Sequence, residues 1–170
     1  MLKFRSLTDD DIPLVERWLH QAHVERWYAI PRLGVTIDDW INEIKAYKQD
    51  FRWITYLIVL YEGRPIGLCL YYLCSDSKGE DFGSLPLSGA YGVDYLIGEA
   101  SLLGRGLGKQ MLSLLTDRIF SIPDARRITA DIDTDNAASK NTLLSCGFTL
   151  LKGGRYVLEK RSPDSSVFLI

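Results

Sequence analysis

Residues 98–112 read GEASLLGRGLGKQML. Gly104, Gly106 and Gly108 stand at the mouth of an apolar-periodic run, interleaved with Arg105 and followed by Lys109. Leu107, Met111, Leu114 and Leu115 fall on one face of a helix that runs to about Phe120. The first turn of a helix has N–H groups without intrahelical partners and the positive end of the dipole, so it receives anions. Glycines let the backbone come close to a ligand, and the two cations add charge. The stretch reads as a cradle for a phosphate or pyrophosphate. Spacing excludes two common phosphate loops. The P-loop needs Ser or Thr after its lysine, whereas Gln110 follows Lys109, and Gly104-x-Gly106-x-Gly108 is not G-x-G-x-x-G. The alternative is a cluster of helix caps with no ligand.

Upstream, LKFRS alternates as a first strand. Thr8 and Asp11 form a capping box before a helix with Ile12, Val15, Trp18 and Leu19 on one face. HVERWYAIPRLG reads as irregular and aromatic. Thr36 and Asp39 cap a second helix carrying Trp40, Ile41, Ile44 and Tyr47. WITYLIVL is β-branched and aromatic, and it returns through a turn at Gly63 into IGLCLYYL. A long polar loop follows. AYGVDYLIG is a further strand, whose inner glycine signals a bulge or a close backbone approach. Downstream, RRITADI is a strand, Thr134 or Asp135 caps a short helix through Leu144, and GFTLL and RYVLEKR close a hairpin around Lys152-Gly153-Gly154. The order β-α-α-β-β-β-α-β-α-β-β gives an α+β (mixed α/β) fold. It is a twisted mixed sheet of about seven strands flanked by about four helices. The expected layout is one domain over residues 1–161 and a C-terminal tail over 162–170.

The chain has 170 residues, 46% of them hydrophobic and 25% charged, which suits one globular domain. A net charge of -2 argues against broad nucleic-acid or membrane-surface binding. No apolar run approaches the roughly 18–20 residues of a membrane span. The N-terminus turns acidic too soon for a signal peptide. Cys69, Cys74 and Cys146 are odd in number and lack metal-type spacing, which fits a reduced, cytoplasmic protein. His20 and His23 are three apart, but no other ligand joins them, so no metal is expected.

The glycine loop, its helix and the following RRITADIDTDNAASKNTLLSCGF resemble the acetyl-CoA-binding half of the GNAT N-acetyltransferases. Asn136 and Gly147-Phe148 match that family's Asn-capped helix and Gly-Phe pair. Leu103 stands where the family signature has Gln or Arg. A narrower resemblance, in Gly92-x-Asp94, Ala100-Ser101 and Leu103-Gly104-x-Gly106-Leu107-Gly108, is to the aminoglycoside 6'-N-acetyltransferases and their siderophore-acylating relatives. His23–Tyr28 is similar to their His-x-x-x-Trp-aromatic segment.

The resemblance implies a fold, a cofactor and a site. Acetyl-CoA would be held by Tyr95, Leu96 and Ile97 of the strand, by Leu102, Leu103, Gly104, Arg105, Gly106, Leu107, Gly108 and Lys109 of the loop, and by Asn136 and Lys140. Asp94 would orient the acceptor amine and take its proton, working through water because a carboxylate is a weak base. Trp27, Tyr28, Asp131, Glu80 and Asp81 would face the acceptor, a small polar or cationic amine such as an aminoglycoside. Helix capping, a surface ion pair and a solvated acidic loop are the plain alternatives for the carboxylates. Many family members place a tyrosine where this chain has Leu143, so either another group (Tyr91, Tyr95 or Tyr156) or water serves the leaving thiolate, or the activity is altered. Protein N-terminal acetylation, siderophore acylation and a non-catalytic acyl-CoA sensor are the other functions considered. The expected assembly is a monomer or homodimer, without nucleic-acid or membrane partners.

Overall fold

The computed structural model describes residues 1–151 and 154–161. The expected tail at 162–170 and Lys152-Gly153 of the closing turn lie outside the described residues. The elements are β1 (Leu2–Ser6), α1 (Ile12–Leu19), α2 (Ala22–Tyr28), α3 (Ile37–Lys45), β2 (Ile54–Tyr61), β3 (Arg64–Leu73), β4 (Ala90–Ile97), α4 (Leu107–Phe120), β5 (Arg127–Ala130), α5 (Ala137–Ser145), β6 (Thr149–Leu150) and β7 (Tyr156–Glu159). The expected strand order holds. The helices number five among the described residues rather than four, because HVERWY is helical as α2.

One sheet joins all seven strands in the order β1-β2-β3-β4-β5-β7-β6. Every pairing is antiparallel except β4 with β5. The β2–β3 hairpin turns through Glu62 (φ 50°) and Gly63 (φ 80°), two left-handed residues whose twist matches the strands.

Strand alternation sends successive side chains to opposite faces. Leu57, Val59, Cys69, Val93 and Ile128 pack with Met111, Leu112, Leu115 and Ile119 of α4 and with Leu143 of α5. Tyr56, Ile58, Leu68, Leu70 and Leu96 pack on the other face with Val15, Trp18 and Leu19 of α1 and Ile37, Ile41 and Ile44 of α3. Leu114 is exposed, so the buried stripe of α4 is completed by Leu112 and Ile119 instead.

The capping boxes form as read. Asp11 accepts from the Thr8 N–H at 2.9 Å and hydroxyl at 2.8 Å, and Asp39 does the same for Thr36 at 2.7 and 2.8 Å. At α5 the cap is Asn136, whose side chain accepts from the Ser139 N–H at 3.1 Å. Thr134 and Asp135 are not the cap; the Asp135 N–H donates to Asp133 Oδ1 at 2.9 Å.

Glycines mark close approaches in the sheet. A Cβ on Gly98 would meet the Trp18 ring at 2.0 Å, and one on Gly92 would meet the Tyr72 ring at 2.3 Å. The β3–β4 register runs unbroken through Gly92, so close approach, and not a bulge, explains that glycine. The register shift of the sheet lies between Val59 and Leu60.

Candidate active site

β4 and β5 pair only over Ala90–Gly92 with Arg127–Thr129. Past that point β4 stays bound to β3 as far as Ile97, while its other edge is open. The Gly98 N–H donates to Ile66 on β3 at 2.8 Å. Backbone groups alternate sides along a strand, so the Ile97 N–H points away from β3, into the gap. A cleft of about 970 Å³ occupies this gap and spreads across the N-terminus of α4 on one side and the aromatic residues of α2 and α3 on the other.

On the α4 side, Gly106 is the N-cap, in the left-handed conformation (φ 72°), and no side chain caps the helix. The N–H groups of the first turn are therefore left for a ligand. Gly104 is also left-handed (φ 73°). A Cβ on Gly108 would find nothing nearer than Thr142 at 3.9 Å, so the space above the turn is open. Leu103, Gly104, Gly106, Leu107, Gly108 and Lys109 line the cleft, together with Asn136. Leu102, Arg105 and Lys140 do not line it. This arrangement fits a pyrophosphate: free N–H donors, a dipole end, a nearby lysine and no side chain in the way.

On the opposite side, Asp94 emerges from β4 toward α2. Its Oδ1 accepts from the Tyr28 hydroxyl at 2.6 Å and from the Tyr95 N–H at 2.7 Å. Loss of water pushes the Asp94 carboxyl up from 3.8 to about 6, and the two hydrogen bonds hold it below a still higher value. A carboxylate so tuned is a better proton acceptor near neutral pH than an ordinary aspartate. Tyr28 is held in turn: Trp40 Nε1 donates to its carbonyl at 2.8 Å, and the two rings meet edge to face at 5.2 Å. His23 Nε2 lies 2.8 Å from the Ile97 carbonyl and fastens α2 to the end of β4. Trp27 lines the same wall, with the Arg26 guanidinium 4.5 Å from its ring.

The expected acceptor carboxylates behave differently from one another. Glu80 lines the cleft, but both of its oxygens are engaged, by Tyr72 at 2.7 Å, Ser77 at 3.2 Å and Arg155 at 3.3 Å. Asp81 does not line the cleft; its carboxylate accepts from the Gly83 N–H at 2.8 Å and its carbonyl from Arg155 at 3.2 Å. Asp131 lines the cleft with 68% of its side chain exposed, 3.7 Å from Arg155.

Among the cleft residues that were not anticipated, Glu43 and Arg155 stand out. Glu43 of α3 accepts from the Tyr56 hydroxyl at 2.6 Å, and burial raises its pKa. Its place on an amphipathic helix gave no sign that it faces a cavity. Arg155 sits with its guanidinium 4.9 Å from the Phe82 ring. Only its position at the start of a closing strand marked it in the sequence. Leu143 is fully buried in the core under α4. Among the described residues, no group of His, Cys, Asp and Glu is placed to hold a metal, and no helix is long and apolar enough to cross a membrane.

The chain is similar to proteins of known activity. It is 26% identical over 148 residues to the aminoglycoside N(6')-acetyltransferases type 1 of Klebsiella pneumoniae and of Serratia marcescens, covering 85% of this chain and 72% of each relative. Its fold matches that of aminoglycoside acetyltransferase AAC(6')-Ib in complex with coenzyme A, with TM-score 0.81 and 23% identity over 94% of this chain and 95% of that one. It also matches the aminoglycoside N(6')-acetyltransferase of Legionella pneumophila, with TM-score 0.71 and 19% identity over 93% and 91% of the two chains. The Acetyltransferase (GNAT) domain family matches residues 8–155, which take in α1 through β6, the glycine cradle and Asp94. The chain belongs to the GNAT acetyltransferase family.

Proposed function

We propose that the protein is an acetyl-CoA-dependent N-acetyltransferase acting on a primary amine of a small cationic acceptor, with an aminoglycoside as the leading candidate. The observation that carries this reading is the joining of two half-sites in one cleft. The uncapped glycine N-terminus of α4 opens on one side, and the tuned carboxylate of Asp94 faces the other. Acetyl-CoA supplies the activated acetyl group.

The residues divide the remaining work. The first turn of α4 and Lys109 bind the pyrophosphate, and Tyr95, Leu96 and Ile97 flank the arm along the open edge of β4. The Ile97 N–H is free to meet a carbonyl oxygen. Asp94, steadied by Tyr28, binds the acceptor ammonium and accepts its proton through water. Trp27 and Tyr28 offer aromatic surface to the acceptor, and Asp131 and Glu43 add negative potential along the same wall. Glu80 acts through its bonds to Arg155 and Tyr72, as part of the wall.

A second reading, acetylation of peptide N-termini, draws on Arg26, Arg32 and Arg155, which line the same cleft and offer donors to carbonyl and carboxylate oxygens. Release of free thiol from acetyl-CoA across aminoglycosides, polyamines, amino acids and peptides tests both. Turnover with aminoglycosides supports the first reading. Turnover confined to peptides supports the second. Binding of acetyl-CoA without turnover on any amine overturns both in favour of an acyl-CoA sensor.

A further inference from the structure

Tyr95 is the neighbour of Asp94 on β4, but the pleat sends its ring to the opposite face of the sheet. There it packs against the core cluster beneath α4 and α5, and it also lines the cleft. Its hydroxyl is buried and has no hydrogen-bond partner, the one such side-chain atom among the described residues. Buried tyrosine hydroxyls ordinarily have a partner. The Ser139 side chain of α5 is near enough to lower the pKa of this phenol but does not meet its hydroxyl in hydrogen-bonding geometry, and Leu143, one turn further along α5, is fully buried and offers only an alkyl chain. The hydroxyl thus lies between β4 and α5, on the face of the sheet opposite the Asp94 carboxylate, in a residue that lines the cleft.

We propose that Tyr95 donates a hydrogen bond to the sulfur of coenzyme A as the thioester is cleaved. The inference rests on the acetyltransferase reading above. An arm that runs from the cradle along the free edge of β4 toward Asp94 passes this residue, because adjacent Cα atoms of a strand are only about 3.8 Å apart. When the acceptor nitrogen bonds to the carbonyl carbon, the electron pair of the C–S bond passes to sulfur. The phenol stabilises that charge by an O–H···S bond and keeps its proton. Burial raises the phenol above its ordinary value, whereas a thiol titrates near about 8.5, so full transfer of the proton would run uphill. The thiolate then takes its proton from water, and the amine's protons leave by way of Asp94 and solvent. Tyr95 is in this sense a catalytic residue that works as a fixed donor.

Tyr95→Phe removes the hydroxyl and keeps the ring. The variant is expected to lose about 10- to 100-fold in kcat, the scale of one hydrogen bond to a charged group, with the KM for acetyl-CoA unchanged. Calorimetry gives a readout independent of turnover. The wild-type protein should bind coenzyme A more tightly than desulfo-coenzyme A, and Y95F should not distinguish the two. Equal affinity for the two ligands in the wild type overturns the proposal, as does a preference that survives in Y95F. Should Y95F fail to fold, the wild-type comparison decides alone. A wild-type protein that binds neither ligand overturns the acetyltransferase reading itself. One that binds both equally leaves that reading standing and removes only Tyr95.

Discussion

The hydroxyl of Tyr28 donates to Oδ1 of Asp94 at 2.6 Å and joins the last residue of α2 to the open half of β4. The two residues are 66 positions apart in the chain. The bond fixes the carboxylate's orientation and lowers its pKa against a stronger opposing push from burial.

The Asp94 carboxyl should govern the acid limb of the pH–rate profile. With its pKa raised to about 6, kcat/KM is expected to rise with pH through that value, since the free enzyme's essential base sets this limb. Asp94→Asn should lower kcat steeply, abolish the limb and leave coenzyme A affinity unchanged. The same shift bears on folding. Between 3.8 and about 6 the folded protein holds a proton that the unfolded chain has lost, so this group's contribution to stability falls as pH rises across that window. Thermal melts should therefore show D94N gaining on the wild type from pH 4 to pH 7.

Removal of the Tyr28 hydroxyl takes away one of the two bonds that favour the charged form of Asp94. Tyr28→Phe should move the acid limb to higher pH and leave less activity at pH 7. A limb that stays in place would show that the Tyr95 N–H alone sets the carboxylate.

The cradle can be tested without disturbing the fold. Gly108 has open space above its Cα and a φ outside the left-handed region, so Gly108→Asp should fold normally. The new carboxylate would face the pyrophosphate, and coenzyme A binding by calorimetry should be lost. Retained affinity in a folded G108D would place the phosphates elsewhere.

Gly98→Ala makes the contrasting prediction. Its Cβ would lie 2.0 Å from the Trp18 ring, which is itself fully buried. Chemical denaturation should show a loss of about 2–3 kcal/mol, the scale of overpacking in a core.

Asp11 accepts two hydrogen bonds of 2.6 Å from Arg5, which hold its carboxyl down at about 2. The folded state keeps this group charged below its ordinary value, so the stability it adds is present above about pH 4 and is lost as pH falls toward 2. Discounted for the exposed face of Arg5, Asp11→Asn should cost on the order of 1–2 kcal/mol at pH 7, and the gap between the two proteins should close in acid.

The sheet and four of the helices were legible because their signals are local. The capping boxes at Thr8 and Thr36 sit three residues before their partners, and α4 begins at its glycines and ends at Phe120. α2 escaped notice because it makes only two turns and buries only Val24, so no apolar stripe shows. Its signal was compositional: Ala22, Glu25 and Arg26 favour a helix, and Pro31 follows soon after its end. In the site, the glycine cradle could be read from spacing. The bonds of Asp94 to Tyr28 and of Glu80 to Arg155 could not, since they join residues 66 and 75 positions apart whose meeting depends on the finished sheet. The open hydroxyl of Tyr95 is a property of packing alone.

Arg155 holds one wall of the cleft through Glu80, the Asp81 carbonyl and Asp131, yet it comes immediately before β7, the last strand described. During synthesis the cradle, β4 and Asp94 leave the ribosome well before the residue that fastens the loop beside them. The loop that carries Glu80 and Asp81 is therefore fastened only when the last described strand is made. A nascent chain stalled after β5 would carry Asp94 on an incomplete sheet, with the loop of Glu80 and Asp81 still unfastened.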